Sequence, residues 1–517
     1  MIMEKIFENI KLIFISALFL IFLLPGCDSA FLDETPASVL TEDSYYSTVD
    51  ELETGLTACY SSFISDTWNG FEACHWQLGD VGSDDAEKGG ENETDWSAIQ
   101  EISYSRQVSS NSIVTNFWKY LYQSIAYCNL VIDKSADVDG DEDEIEKIVE
   151  QAKFLRGLSY FHLVINFGDV PLVTSYLTPS EVTLARTSVD LVWSQIESDF
   201  SDATNLPLKS EWNETGRVTS GAAWAMLGKA YLFQEKYAEA NGAFSQVVES
   251  GEYSLVSDYG YIFRHDGENC DESIFELQHA NGLSGGNMGT YSGVFRISRD
   301  ADAGGWGFDC PTQDLLNEFE DGDPRTIYTF MYPGDVFPTT SGTYTVTNSV
   351  SPTGYHSRKS WMPSSERAGL SLGSYDINYR YLRYAEVLLL YAESLNEAGD
   401  PSSALTMLNM VRARARGTTT DDPQRISSAY DLSYTGDLLP DVTTTNQSEL
   451  REAIWHEQRV ELAVEGHRRE TLIRTGRFID RMADVKGASV DEDELLLPIP
   501  SNEIDLSNGL IEQNPGY

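Results

Sequence analysis

Apolar residues recur three and four positions apart between Ser220 and Gly251, the spacing that places them on one face of a helix. Large and small residues alternate there at fixed offsets, at Trp224, Leu227, Gly228, Tyr231, Tyr237, Ala240, Phe244 and Val247. This is the tetratricopeptide pattern, in which each unit of about 34 residues is a pair of antiparallel helices. The small residues let two helix backbones approach closely, and the large rings are expected to fill the remaining space.

The pattern returns elsewhere in the chain. In a second copy the same role is taken by Leu388, Ala392, Leu395, Ala404, Leu408 and Val411. A lone hairpin cannot bury its apolar face, so its neighbours must stack on it. We therefore predict a mainly α fold, with hairpins near 116–167, 220–251 and 380–415. Long irregular loops with little β structure would carry any ligand face. An ordinary amphipathic helix pair is the alternative.

The N-terminus has the pattern of a targeting segment. Lys5 and Lys11 precede an apolar run of thirteen residues, 12–24, which fits a signal-peptide core and is too short to span a bilayer. The run ends in Leu-Pro-Gly-Cys27, the cleavage pattern of bacterial lipoproteins. We predict a signal peptide over 1–26, a lipid on Cys27 and a tether over 27–40. The alternative is an ordinary signal peptide followed by an unmodified cysteine.

Charge excludes some partners. The chain has 517 residues, with 82 acidic against 35 basic, and a net charge of −47. Nucleic acid binding needs a basic patch for the phosphates, so we predict no nucleic-acid partner. Docking on anionic lipid head groups through a basic face is excluded on the same grounds.

Nothing in the sequence predicts a cofactor or a metal. Besides Cys27 the chain has Cys59, Cys74, Cys128, Cys270 and Cys310, without CxxC or zinc spacing. A Cys59–Cys74 disulfide is conceivable, but we expect buried free thiols for most of these cysteines. The acidic stretch 137–150 has partial calcium-loop spacing, yet its sixth position is Glu142 where the turn needs glycine. We interpret it as a solvated connector.

Several segments together resemble a known family. They are the stretch after Cys27 that begins DSAFLDETPAS, NFWKYLYQSIAYCNLVID at 116–133, AKFLRGLSYFHLVINFGDVPLV at 152–173, YRYLRYAEVLLLYAESLNEAG, WHEQRVELAVEGHRRETLIRTG, LLLPIP and the terminal QNPGY. In this order they resemble the SusD/RagB-like outer-membrane nutrient-binding lipoproteins of the Bacteroidetes. The resemblance covers essentially the whole mature chain, and we predict one SusD-like domain over 41–517.

The resemblance implies a location and a partner. Such proteins are lipid-anchored at the outer-membrane surface and sit like a lid over a TonB-dependent, SusC-like β-barrel transporter. It implies capture of an extracellular oligosaccharide without catalysis, at a site on the loop face away from the repeats. The matching motifs belong to the scaffold, so the resemblance does not name the ligand residues.

The long loops supply candidates for those residues. Loops over 64–100, 280–312 and 332–378 combine aromatic rings with amides, carboxylates and glycines. Flat rings suit the C–H surfaces of sugars, and the polar groups suit their hydroxyls. The predicted ligand residues are Trp96, Tyr291, Trp306, Asn92, Asp84, Trp68 and Trp76. The alternative for each tryptophan is that it plugs a loop onto the core.

Other functions stay open at this point. The same role could serve a peptide or another nutrient. In a different class, two of the abundant carboxylates could form the pair of a secreted glycoside hydrolase, although no motif isolates such a pair.

In residues 455–470 acids and bases alternate three and four apart, which suits ion pairs along one helix face.

Overall fold

Helices dominate the part of the chain that the computed structural model describes, which is 45–64, 68–178, 181, 183–280, 289–300, 303–340, 342–347, 351–368, 370 and 374–517. The signal peptide, Cys27 and the tether lie outside these residues. The α-helices are α1 Val49–Ile64, α2 Phe71–Trp76, α3 Ser97–Ser103, α4 Ser112–Lys134, α5 Glu142–Phe167, α6 Val189–Ala203, α7 Ser220–Phe233, α8 Tyr237–Glu249, α9 Ser292–Arg296, α10 Gln313–Glu318, α11 Thr326–Thr329, α12 Ser364–Arg367, α13 Tyr384–Glu397, α14 Pro401–Gly417, α15 Gln447–Glu461, α16 Arg468–Arg474, α17 Phe478–Lys486 and α18 Ser501–Leu506.

Strands are short and pair only two at a time in the described residues. They are β1 Ala86–Gly89, β2 Ser273–Leu277, β3 Phe308–Pro311, β4 Phe330–Met331, β5 Val336–Thr339, β6 Gly342–Thr345, β7 His356–Ser357 and β8 Tyr379–Arg383. The antiparallel pairs are β1 with β3, β2 with β8, β4 with β7 and β5 with β6. The prediction of a mainly α fold with little β structure is confirmed. Among these residues, no helix combines the length and apolarity that a membrane crossing requires.

The helices stack in chain order to form the scaffold. α4 packs on α1 and α5, α6 packs between α5 and α7, and α8 joins α7 to α13, which also contacts α14 and α15. Helix pairs lie at each of the three predicted hairpin positions. Residues Thr48–Tyr517 form one compact unit.

The α7–α8 hairpin shows how small residues set the helix spacing. A Cβ atom built on Gly228 would lie 2.6 Å from Cε1 of Phe244, so the ring rests directly on the glycine. Phe244 and Ala240 are buried, as expected. The expectation that Trp224 and Tyr231 fill the gap is wrong, because both are only half-buried.

Buried ion pairs hold α15 against the rest of the unit. Glu461, at the end of α15, accepts hydrogen bonds from Arg383 at 2.6 Å and Arg325 at 3.0 Å. Burial opposes the charge of Glu461, but the surrounding guanidinium groups hold its pKa well below the usual range. All three side chains are almost completely buried. Buried charges are tolerated only when paired in this way.

These pairs correct the expectation of ion pairs along one helix face. α15 ends at Glu461, and its charged residues contact other elements rather than each other. Glu457 pairs with Arg325 of the loop before α11 and with Arg412 of α14. The sequence shows alternating charge but not that these side chains are desolvated.

Overpacking at Gly228 tests the helix spacing. Gly228→Leu should lower the free energy of unfolding by about 1–3 kcal/mol, because the new side chain displaces the Phe244 ring. The matched control is Gly242→Leu, since Gly242 on α8 is exposed with no atom within 4 Å of a built Cβ. The measurement is thermal and denaturant unfolding of both variants. Equal stability of the two would show that α7 and α8 do not meet at Gly228.

Candidate functional site

Four of the predicted aromatic residues converge on one surface, which we call the ring cluster: Trp68, Trp96, Tyr291 and Trp306. Ring centroids lie 5.8 Å apart for Trp68 and Trp96, and 5.2 Å apart for Trp68 and Tyr291. Trp306 lies 5.1 Å from Trp68 and 6.1 Å from Tyr291, nearly parallel to the latter at 29°. The chain thus brings together rings more than 200 positions apart, which no local pattern could establish.

A fifth ring supports the cluster from below. Phe295 on α9 is fully buried, and its centroid lies 5.3 Å from Trp68, 5.2 Å from Trp96 and 5.1 Å from Trp306. Phe295 is not among the residues predicted from the sequence. The signal was present, because Tyr291 and Phe295 are four residues apart and therefore share a helix face.

Partial exposure distinguishes the ring cluster from core packing. Trp68 is 39% exposed, and Trp96, Tyr291 and Trp306 are half-buried. A tryptophan that only plugs a loop onto the core would be enclosed, as Trp361 is at 1% exposure. The cluster therefore presents aromatic surface outward while its base is fixed.

The backbone around Trp306 depends on glycine. The Trp306 amide donates to the Val294 carbonyl at 2.8 Å, which lays this loop over α9. A Cβ on Gly305 would lie 2.2 Å from the Ile297 carbonyl oxygen, so only glycine permits the approach. β3, which follows, pairs with β1, and this pairing brings the Trp306 loop beside the segment that leads to Trp96.

Arg299 connects the 91–95 turn, which precedes Trp96, to the loop that carries Trp306. Its guanidinium donates to Glu91 at 2.9 Å, to Asp95 at 3.3 Å and to the Trp306 carbonyl at 3.4 Å. Predicted ligand residue Asn92 is exposed and lies in the same turn, where its Oδ1 accepts from the Asp95 amide at 3.2 Å. Beside this turn is a cavity of about 590 Å³, lined in part by Glu87, Glu91, Asn92, Glu93 and Arg299.

Two predicted ligand residues lie inside the protein, and this corrects the expectation for them. Trp76 is fully buried on α2, with the Arg296 guanidinium 5.9 Å from its ring centroid. Asp84 is also fully buried and accepts from Arg468 at 2.7 Å and Arg481 at 2.7 Å. Burial opposes its charge, yet the surrounding arginines hold the pKa of Asp84 well below its usual range. The Trp76 ring lies 6.0 Å from that of Phe295 beneath the cluster, and Asp84 fixes the segment that leads into β1.

One cluster in the described residues has the composition of a metal site. Ligand atoms of Glu386, His467 and Glu470 lie within 4.8 Å of one another. The Lys229 ammonium lies 2.9 Å from Glu386 and 2.7 Å from Glu470. Lys229 therefore supplies the positive charge that these buried carboxylates require. Among the same residues, all the described cysteines are free thiols, in agreement with the expectation for most of them.

The fold and the ring cluster define a class: a helical scaffold protein that carries a cluster of part-exposed aromatic rings on its loops. The model of the SusD family matches residues 271–517, and a model described as "Starch-binding associating with outer membrane" matches residues 30–232. The chain belongs to the SusD/RagB family. It is a binding protein rather than an enzyme, and the family description associates it with the outer membrane.

Individual relatives align with this chain over nearly its full length. SusD-like protein P25 of Formosa agariphila is 26% identical, and the alignment covers 96% of this chain and 98% of that protein. A solved "Laminarin binding SusD-like protein" is 29% identical with a TM-score of 0.74, covering 91% of this chain and all of that one. A solved SusD-like carbohydrate binding protein of Bacteroides fragilis has a TM-score of 0.77 at 24% identity, and the match covers 90% of this chain and 99% of that one. This similarity is one of fold.

Replacing Asp84 separates support from ligand contact. Asp84→Ala leaves the paired arginines without their carboxylate, so we expect a loss of about 3–5 kcal/mol in the free energy of unfolding. The matched control is Asp202→Ala, because the Lys153–Asp202 pair is exposed at 26% and 46% and should contribute about 0–1 kcal/mol. Denaturant unfolding measures both. An unchanged stability for Asp84→Ala, with weakened ligand binding, would return Asp84 to the ligand site.

Proposed function

We propose that this protein captures an extracellular oligosaccharide on the ring cluster. The observation that carries the proposal is the convergence of Trp68, Trp96, Tyr291 and Trp306 on one part-exposed surface with a buried base at Phe295. Stiff aromatic side chains offer a large contact area at a small cost in conformational entropy. Their flat faces match the C–H faces of pyranose rings, and Asn92 lies beside them as a polar group.

The nature of the relatives supports a glycan over other nutrients. A peptide ligand, the alternative within the same role, would be recognised through backbone hydrogen bonds along a strand edge or through side-chain pockets. The laminarin-binding SusD-like protein is similar to this chain over 91% of its length, so laminarin oligosaccharides are the first ligands to test.

We further propose that the ligand passes to a TonB-dependent, SusC-like transporter in the outer membrane. Lipid on Cys27 would hold the protein at the surface beside this partner, since several acyl chains anchor a protein durably. The family's association with the outer membrane supports this arrangement. No bond is made or broken, and the work of the site is binding and release.

Truncating the rings tests the site. Trp96→Ala, Tyr291→Ala and Trp306→Ala should each weaken binding of laminarihexaose, or of the best ligand from a glycan array, by about thirtyfold, or about 2 kcal/mol. Melting should stay near that of the wild type, since these rings are half-buried. Calorimetric titration and thermal melting are run on each variant.

Two control variants accompany the ring truncations. Trp212→Ala, at a half-buried tryptophan outside the ring cluster, should leave affinity unchanged. Trp76→Ala opens a cavity in the core and should lower melting first, with an unfolding cost of about 3–5 kcal/mol. Normal affinity in all three ring variants would place the ligand elsewhere and refute the proposed site.

Removing the lipidated cysteine tests the anchor. Cys27→Ala should abolish labelling by a palmitate analogue and release the protein from membranes of cells that lack the transporter. Cys270→Ala is the control, because Cys270 is a free thiol within the folded unit. Continued membrane fractionation of Cys27→Ala in those cells would mean that the anchor is not on Cys27.

A further inference from the structure

The charges around the ring cluster restrict which glycans it accepts. Uronate and sulfate groups need a cation or several hydrogen-bond donors when they leave water. Hexose hydroxyls can instead donate to carboxylates. The balance of available charge beside the rings therefore decides between anionic and uncharged oligosaccharides.

Three basic side chains beside or beneath the cluster are already engaged. Arg299 is held between Glu91 and Asp95. Lys88 is 2% exposed and donates to the Asn92 and Asp95 carbonyls. Arg296, beneath the cluster, is bound to Asp309 at 2.7 Å.

A fourth cation lies behind the Trp306 loop. Arg367 donates to the Ala303 carbonyl at 2.7 Å, and its guanidinium stacks 5.4 Å from the Trp361 ring centroid. Its Nε and Nη2 atoms are buried, so a ligand on the outer face of the rings does not reach them.

Two carboxylates of the 91–95 turn are more accessible than these cations. The side chain of Glu91 is 65% exposed, although Arg299 contacts it, and Glu93 in the same turn is exposed. Glu87 is half-buried and lines the adjoining cavity with them. The chain as a whole carries −47, so an incoming polyanion meets repulsion over a Debye length of about 8 Å.

We infer that the ring cluster takes an uncharged oligosaccharide and discriminates against uronic-acid and sulfated glycans. The inference rests on the proposed function and adds the class of ligand. Ligand hydroxyls gain charge-assisted hydrogen bonds to the rim carboxylates, whereas a ligand carboxylate or sulfate at the same place meets like charge.

A matched pair of ligands tests this directly. β-1,4-Mannohexaose and β-1,4-hexamannuronate differ only at C6, where one has a hydroxymethyl group and the other a carboxylate. Laminarihexaose and a carrageenan hexasaccharide extend the comparison. Calorimetric titration at 50 and 500 mM NaCl should show binding to uncharged members only, changing less than twofold with salt. Any binding of an anionic member should be at least tenfold weaker than that of its uncharged counterpart.

A charge variant tests the role of the rim. Glu91→Gln with Glu93→Gln removes two carboxylates and releases Arg299 from one partner, so the discrimination against hexamannuronate should shrink by at least threefold. The control is Glu239→Gln, an exposed acid on α8, which should leave it unchanged. An unchanged discrimination in the rim variant would refute the role of these carboxylates.

The outcomes separate this inference from the proposed function. Tighter binding of an anionic ligand that is lost in Trp306→Ala would overturn the ligand class and leave the ring cluster standing as the site. Binding that is indifferent to all three ring substitutions would overturn the site itself. Absence of binding to every glycan on an array would overturn both.

Discussion

Desolvated charge is the constraint on which the rest of this structure depends. Arg383 is buried and must satisfy its guanidinium inside the protein, which it does with Glu272, Glu461 and Glu465. Burial opposes the charge of Glu465, yet Arg383 and Lys359 hold its pKa at about 2. Removing one partner from such a network leaves an uncompensated buried charge, so the elements that carry these residues are fixed relative to one another. β8, α15 and the segment before β2 are joined in this way.

Buried ion pairs of the same kind also lie beneath the ring cluster. Asp84 and Asp85 precede β1, and they are held by Arg468 and Arg459 of the C-terminal helices. Arg296, next to Phe295, is held by Asp309 of β3. The rings therefore stand on loops whose bases are fixed by buried ion pairs while their outer faces remain accessible. A rigid base under part-exposed aromatic side chains suits a site that must bind without reorganising first.

The sequence predicts the scaffold better than the site, for physical reasons. Helix-period spacing and small residues such as Gly228 are local signals, and they locate the hairpins. Burial of Asp84 depends on arginines nearly 400 positions away, so composition placed it wrongly among ligand groups. Trp76 and Trp96 both lie in the predicted loop 64–100, and only the tertiary packing separates the buried ring from the part-exposed one. The meeting of Trp68 with Trp306 across the chain is likewise a property of the fold.

The most direct test of this account is a crystal structure of the mature protein bound to the oligosaccharide that it binds most tightly. We expect a sugar ring in van der Waals contact with at least two members of the ring cluster, and its hydroxyl groups within hydrogen-bond distance of the 91–95 turn. Asp84 should lie against Arg468 and Arg481, out of contact with the ligand, as in the unbound protein. An oligosaccharide bound on the helical hairpins, with the ring cluster empty, would contradict the central claim.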